Sequence, residues 1–315
     1  MSSANAARTG WAFAPAHVTG IFSPGLGARD PRARGSVGAG LVLEAGVLAS
    51  AEWRASGRSS IKIQSDVAQP LPISEEVARR LLARRPGQLQ VTLGHELPIG
   101  QGFGMSAAGA LATALAVAAA TGDSRRNAIE VAHLADLYGR GGLGGVSAIL
   151  GGGMEIRERP GIPPWGRVRY CPASGAVFVI VAGAAMPSPV LLRDARFLGR
   201  VQRAAEPGLG RLRHRPSLSK FLLEAERFTD ALRLGPAPVL HRMHQLRSED
   251  TRVAQAMFGR SLFAMARSLR ARAALVGKLT RLGLRAAEVP LARRGARVLA
   301  GPPHRLVSLV SSSRD

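Results

Sequence analysis

One segment constrains this chain more than any other: Pro98-Ile99-Gly100-Gln101-Gly102-Phe103-Gly104-Met105-Ser106-Ala107-Ala108. Alternate glycines leave the backbone N–H groups without a Cβ in front of them. A small-residue helix is expected directly after them, over Met105–Ala120, stopped by Thr121-Gly122. Its first-turn N–H groups have no intrahelical acceptor, and its positive end points back into the loop. Loop and helix together form an anion cradle, suited above all to phosphate. Ser106 falls in the first turn, where a hydroxyl meets phosphate or a magnesium ion. The plain alternative is a glycine-rich turn feeding a core helix. Two other phosphate loops are excluded. No G-x-x-x-x-G-K-[ST] occurs. Gly102-x-Gly104-x-x-Ala107 imitates a dinucleotide fingerprint, but Pro98 separates it from the preceding strand, and no acidic residue ends a second strand at the required distance.

Around this loop the hydrophobic pattern predicts strands at Trp11–Ile21, Gly40–Ala49, Ser60–Ile63, Gln88–Leu93, Met154–Arg157 and Ala176–Ala182. Helices are expected at Ser74–Arg85 and Arg125–Tyr138, then at Leu191–Ala205, Ser217–Leu232, Ala237–Ser248 and Met257–Arg272. Short strands close the chain near Ala286–Val289 and Arg297–Leu299. Ser23–Gly40 reads as a loop, and the Pro-rich stretch from Pro160 to Pro172 as a seam. Strands and helices alternate with antiparallel-looking hairpins, which favours an α+β architecture over a doubly wound sheet.

The length, 315 residues, fits about two domains. Residues 1–10 are expected as a tail, 11–165 as a first domain and 166–315 as a second. The hydrophobic share of 46% supports a sizeable core. A single cysteine, Cys171, excludes an internal disulfide framework and any Cys-rich zinc module. The apolar stretches Gly109–Gly122 and Gly175–Met186 are too short to span a bilayer, so no membrane partner is expected. The N-terminus, MSSANAARTG, lacks a basic-then-apolar signal pattern, so a cytoplasmic location is expected. The net charge is +22, almost all from arginine; lysine occurs only at Lys62, Lys220 and Lys278. The arginines are scattered rather than gathered on one tail, and aromatics are only 4%, both of which argue against nucleic acid as the main partner. A positive field suits anionic substrates equally well.

The loop resembles the phosphate-binding motif of the GHMP kinases, P-x-x-x-G-L-G-S-S-A-A. The variant G-Q-G-F-G-M-S-A-A-G-A is most similar to one branch of that family, the archaeal pantoate kinases. Further segments resemble that branch in order: Ala12–Gly20 its opening strand and turn, Asp30-Pro31 through Arg34–Gly40 its D-P-x-x-x-G-S-x-G-A-G, Ala132–Asp136 its A-H-x-A-E, Gln255–Ala264 its late Met-Leu-Gly-Asn segment, and Arg294–Leu299 its closing strand.

The resemblance implies a GHMP kinase fold, with an N-terminal domain like domain 2 of ribosomal protein S5 and a ferredoxin-like C-terminal domain. It implies a homodimer, and transfer of phosphate from ATP to pantoate, giving 4-phosphopantoate on the way to coenzyme A. Mg·ATP would be held by Pro98, Gly100, Gln101, Gly102, Phe103, Gly104, Met105, Ser106 and Ala107, with Ser106 and Asp136 as metal ligands. Asp136 is one methylene shorter than the glutamate of the branch. His133 is expected to face the same cleft one helical turn earlier, to share the catalytic role with Ser106 and Asp136 and to bind pantoate, with Arg157 as a carboxylate clamp and Ser36 and Ser188 as hydroxyl contacts. His17 stands roughly where some GHMP kinases carry a lysine and is not assigned to catalysis.

Gly145 departs from the family, which usually places a catalytic aspartate there. Gly145→Asp is therefore expected to raise turnover. Two alternatives stay open: a GHMP kinase of another small alcohol or acid, homoserine- or mevalonate-like, and a weakly active or non-catalytic relative that binds ATP or RNA. His241 and His244 have no third ligand in the sequence pattern, and Ser217–Lys220 fits S-x-x-K without its companion motifs.

Overall fold

The computed structural model describes residues 6–83, 85–139, 141–184, 195–257 and 259–302. Its spine is a long antiparallel hairpin. β1 (Arg8–Gly25) runs beside β2 (Gly35–Ala55), and the connection holds a 3-10 turn at Pro31–Ala33 capped by Asp30. Irregularities at Pro15/Ala16 and at Thr19/Ile21 bend the ribbon. β2 is long enough to take two neighbours in succession. Its second half pairs with β4 (Gly87–His95), and its first half with β5 (Met154–Arg159). β3 (Ser60–Ser65) lies parallel to β4, and β6 (Arg167–Cys171) pairs with β5.

A second, antiparallel sheet has the order β10-β7-β9-β8, from β7 (Ala176–Val181), β8 (Thr251–Ala256), β9 (Ser261–Ala266) and β10 (Arg285–Pro290). β11 (Arg297–Leu299) then returns to the first sheet and pairs with β1, Trp11 opposite Leu299. Apart from the β3–β4 pair, every strand pair is antiparallel, so the α+β reading holds.

Helix α1 (Pro72–Leu82) and helices α2 (Met105–Thr121) and α3 (Arg125–Tyr138) pack on one another and against the first sheet. α2 is buried on nearly all sides, which its alanines and glycine allow. Its approach to β1 is so close that a Cβ on Gly10 would stand 2.2 Å from the Ala116 carbonyl oxygen. α4 (Gly145–Ala148) is a single turn before β5. In the second half, α5 (Ala195–His214) and α6 (Leu218–Leu232) pack across β1, while α7 (Ala237–Leu246) and α8 (Leu269–Arg281) cover the second sheet. One apolar core joins residues of both sheets, including Ile21 of β1, Val179 of β7, Phe221 of α6 and Phe263 of β9.

Four expectations are corrected. The helix expected over Met257–Arg272 is a turn, strand β9 and the start of α8. β9 opens as an unbroken buried run, and such a run does not reveal its period. The Pro-rich stretch from Pro160 to Pro172 is no seam between sheets: it contains β6, and the passage to the second sheet falls between Cys171 and Ala176. The loop expected over Ser23–Gly40 shrinks to residues 26–34, because β1 and β2 pair as far as Gly25 and Gly35. Arg8–Gly10, expected in a tail, open β1.

Candidate active site

The glycine loop closes onto β1 from the end of α2. Gly100, Gly102 and Gly104 all have positive φ, at 76°, 76° and 68°. At Gly104 a side chain would be strained by its backbone and would also crowd His17, whose Cβ lies 3.1 Å from the position of an added Cβ. The His17 N–H donates to the Phe103 carbonyl at 3.0 Å, so β1 fixes the loop. No side chain caps α2. The first-turn N–H groups of Met105, Ser106 and Ala107 therefore have no helical acceptor, and all three residues line a cleft that opens to solvent.

The rest of the cleft comes from His17, Thr19, Ser36, Asp136, Arg157 and the Gly141–Gly145 run, among others. Ser106 and Asp136 converge there. A Cβ on Gly141 would stand 2.0 Å from Asp136 Oδ1 and 2.6 Å from Ser106 Oγ, so both oxygens face one spot that only a glycine leaves open. Asp136 is 3% exposed and its Oδ1 has no hydrogen-bond partner. Burial pushes its carboxyl up to about 7. An orphaned carboxylate oxygen beside a hydroxyl, facing a ring of bare N–H groups, fits a hard divalent cation carrying phosphate oxygens. Among the described residues no group of three or more His, Cys, Asp or Glu could hold a metal alone. A cation here would take most of its ligands from its phosphate and from water.

Beside the glycine loop lies a buried polar cluster that sequence reasoning assigned only in part. Glu155 of β5, wholly buried, accepts from Arg157 and meets His17 Nε2 at 2.9 Å. His17 Nδ1 lies 3.4 Å from Thr19 Oγ1. Burial pulls the His17 pKa down, and Glu155 only partly offsets this. Arg157 Nε is buried without a partner. Ser36 sits close by: a Cβ on Gly144 would lie 2.8 Å from Ser36 Oγ and 3.1 Å from Arg157 Nε. Glu155 was missed, although Glu155 and Arg157, two apart on a strand, had to share a face.

The other expected site residues sort as follows. His133 does not line the cleft. Its ring is buried against the 3-10 turn, with Nε2 3.3 Å from the Pro31 carbonyl oxygen. Gln101 points away from the cleft and contacts the Gly183 carbonyl and Ser261. Pro98 is outside the lining, whereas Gly100, Gly102, Phe103 and Gly104 are within it. Ser188 lies outside the described residues. At Gly145 the missing side chain has a local reason: a Cβ would stand 2.5 Å from Ala107 Cβ on α2. The expected gain from Gly145→Asp is thus blocked by packing unless α2 and α4 move apart.

The cleft suits a phosphate-bearing ligand; the chain is a phosphotransferase with an alcohol group as acceptor and belongs to the GHMP kinase family. The sequence profile described as GHMP kinases N terminal domain matches residues 73–153, which include the loop, Asp136 and Gly145. The chain is 31% identical over 264 residues to the pantoate kinase of Thermococcus kodakarensis, an alignment covering 81% of this chain and 87% of that protein. It is 38% identical over 156 residues to the pantoate kinase of Methanospirillum hungatei, covering 48% of this chain and 53% of that one. Among solved structures, a phosphotransferase related to the coenzyme A biosynthesis pathway superposes with a TM-score of 0.82 at 27% identity, covering 93% of this chain and all of the other.

Proposed function

We propose that this protein is a pantoate kinase, moving the γ-phosphoryl group of ATP to a hydroxyl of pantoate to give 4-phosphopantoate and ADP. The observation that carries the reading is the meeting of an uncapped helix N-terminus with the orphaned Oδ1 of Asp136 in one cleft. The likeness to two pantoate kinases supports the choice of acceptor.

In this reading the N–H groups of the loop and of the first turn of α2 bind the phosphate oxygens of ATP. Ser106 and Asp136 hold magnesium, which when bound neutralises charge on the transferring phosphoryl group. The acceptor oxygen bonds to the γ-phosphorus as the bond to the β–γ bridging oxygen breaks. The hydroxyl proton leaves to a phosphoryl oxygen or to solvent. Asp136 is committed to the cation, and His17 has both ring nitrogens engaged. Alignment and charge stabilisation therefore carry the rate, with no dedicated base at Gly145. Ser36 and Arg157 flank the acceptor.

The test is ADP release by purified protein with Mg·ATP and, in parallel, pantoate, homoserine, mevalonate and shikimate. Pantoate should be preferred, with a new phosphomonoester in the ³¹P spectrum. Preference for another acceptor would replace pantoate, and salt-sensitive RNA binding with no ADP release would replace the kinase reading.

A further inference from the structure

The buried polar cluster of His17, Glu155 and Arg157 has an organisation that the kinase reading does not by itself require. Arg157 is among the largest fully buried side chains, and among the described residues Glu155 is the one partner its side chain hydrogen-bonds. Glu155 in turn binds His17 through the same oxygen, Oε1. Three polar side chains are thus tied across β1 and β5, with β2 running between them.

β2 makes the room. A Cβ on Gly38 would stand 2.3 Å from Arg157 Nη2, and one on Gly40 would stand 2.2 Å from His17 Nε2. The glycines of Gly35-Ser36-Val37-Gly38-Ala39-Gly40, part of the stretch expected as a loop, are strand residues. Two of them are hollows into which Arg157 and His17 fit.

Seen from the cleft, the arrangement leaves part of the guanidinium unengaged. Arg157 Nη1 is held by Glu155, while Nε has no partner, is buried, and stands beside Gly144 and Ser36 on the cleft wall. A buried guanidinium N–H without an acceptor is costly, so an acceptor is expected to arrive with the ligand. Its chemistry is that of an anionic oxygen, a carboxylate rather than a hydroxyl, because a charge-assisted bond offsets the burial best.

We infer that Glu155 is a positioning residue: by holding Arg157 Nη1 and His17 Nε2 it fixes the guanidinium so that the edge carrying Nε and Nη2 is left for the acceptor's carboxylate. This rests on the proposed function for the identity of the acceptor, but not for the geometry. Glu155 touches neither substrate. It acts through Arg157 and is expected to govern acceptor recognition without governing nucleotide recognition.

The experiment compares Glu155→Gln and Glu155→Asp with the unaltered protein. KM is measured separately for pantoate and for ATP, and kcat/KM for pantoate is compared with that for 2,2-dimethyl-1,3-propanediol, a neutral diol without the carboxylate. For Glu155→Gln, KM for pantoate should rise roughly ten- to a hundredfold, the range lost with a hydrogen bond to a charged group, and discrimination against the diol should fall by a similar factor. KM for ATP should stay within twofold. Glu155→Asp, which keeps the charge, should recover part of the loss. Parallel rises in both KM values, or an unchanged preference for pantoate, would overturn the inference.

A second measurement does not depend on turnover or on the variants folding. In ¹⁵N-labelled unaltered protein, the Arg157 Nε–H resonance should move on titration with pantoate. Movement without ADP release would leave this inference standing and remove the kinase reading. Turnover of pantoate with a motionless Nε–H signal would do the reverse.

Discussion

Asp136 carries the most consequential electrostatics in the molecule. Its carboxyl is lifted to about 7 because burial penalises the charged form and no hydrogen bond compensates on Oδ1. A carboxyl with a folded-state pKa above its unfolded value keeps its proton longer when folded. Its contribution therefore favours folding at low pH and is lost as pH rises from about 4 to about 7. Leaving it ionised and unpaired costs on the order of 4 kcal/mol. Asp136→Asn should remove that slope and raise the melting temperature of the ligand-free protein above pH 7, while lowering turnover at least a hundredfold, on the order expected for a ligand of the reacting phosphate's cation. Thermal melts across pH 5–9 and a rate assay test the two halves. Proton and cation also compete for the same oxygen, so affinity for magnesium-loaded nucleotide should fall roughly tenfold per pH unit below 7 and level off above it, as titration calorimetry would record. Ser106 and Asp136 were legible in the sequence because each sits in a recognisable local pattern. The three-residue spacing from His133 to Asp136 fixes a helix face but not which neighbour that face meets, and here His133 meets the Pro31 carbonyl. Glu155 went unseen because its role depends on a long-range pairing with His17 across strands.

At the scale of elements, the glycine loop and the Gly141–Gly145 run are shaped by what lies behind them. Gly104→Ala places an L side chain at φ 68° and against His17, so stability should drop by roughly 1–2 kcal/mol and nucleotide affinity should fall with it. Denaturant melts and nucleotide titration check this. Gly145→Asp alone should lose stability by roughly 1–3 kcal/mol from overpacking against Ala107, with no gain in turnover. Paired with Ala107→Gly it should recover stability, and only then can the added carboxylate raise the rate. Equal behaviour of the single and double variants in melts and assays would contradict this account of why the position is glycine. Helices α2 and α3 were readable because their caps and small-residue runs are local. β9 was read as a helix because a strand buried in a sheet interior shows no alternation, and only its pairing with β7 and β8 defines it.

Across the whole molecule the two sheets are not independent bodies. β11 is stitched to β1, α5 and α6 cover β1, and one apolar core takes residues from both sheets. Residues 1–171 expressed alone should therefore fail to give a cooperative melt, whereas the full chain should unfold in one transition. The positive charge has partners within the fold: Arg211 and Arg227 on Glu224, Arg247 and Arg252 on Glu226, Arg272 on Glu288. Composition conveyed the excess of arginine but not these pairings, which only the tertiary arrangement creates.

The join between halves reaches the glycine loop itself. Ser261 donates to the Gln101 carbonyl and lies 2.9 Å from its Oε1, and a Cβ on Gly259 would stand 2.1 Å from the same carbonyl oxygen. The curvature that grips a nucleotide is thus moulded partly by a tight bend 160 positions downstream. A random library selected for impaired use of ATP should return hits in that bend, and a chimaera that borrows its second half from a distant relative should inherit a different nucleotide affinity even with every loop residue retained.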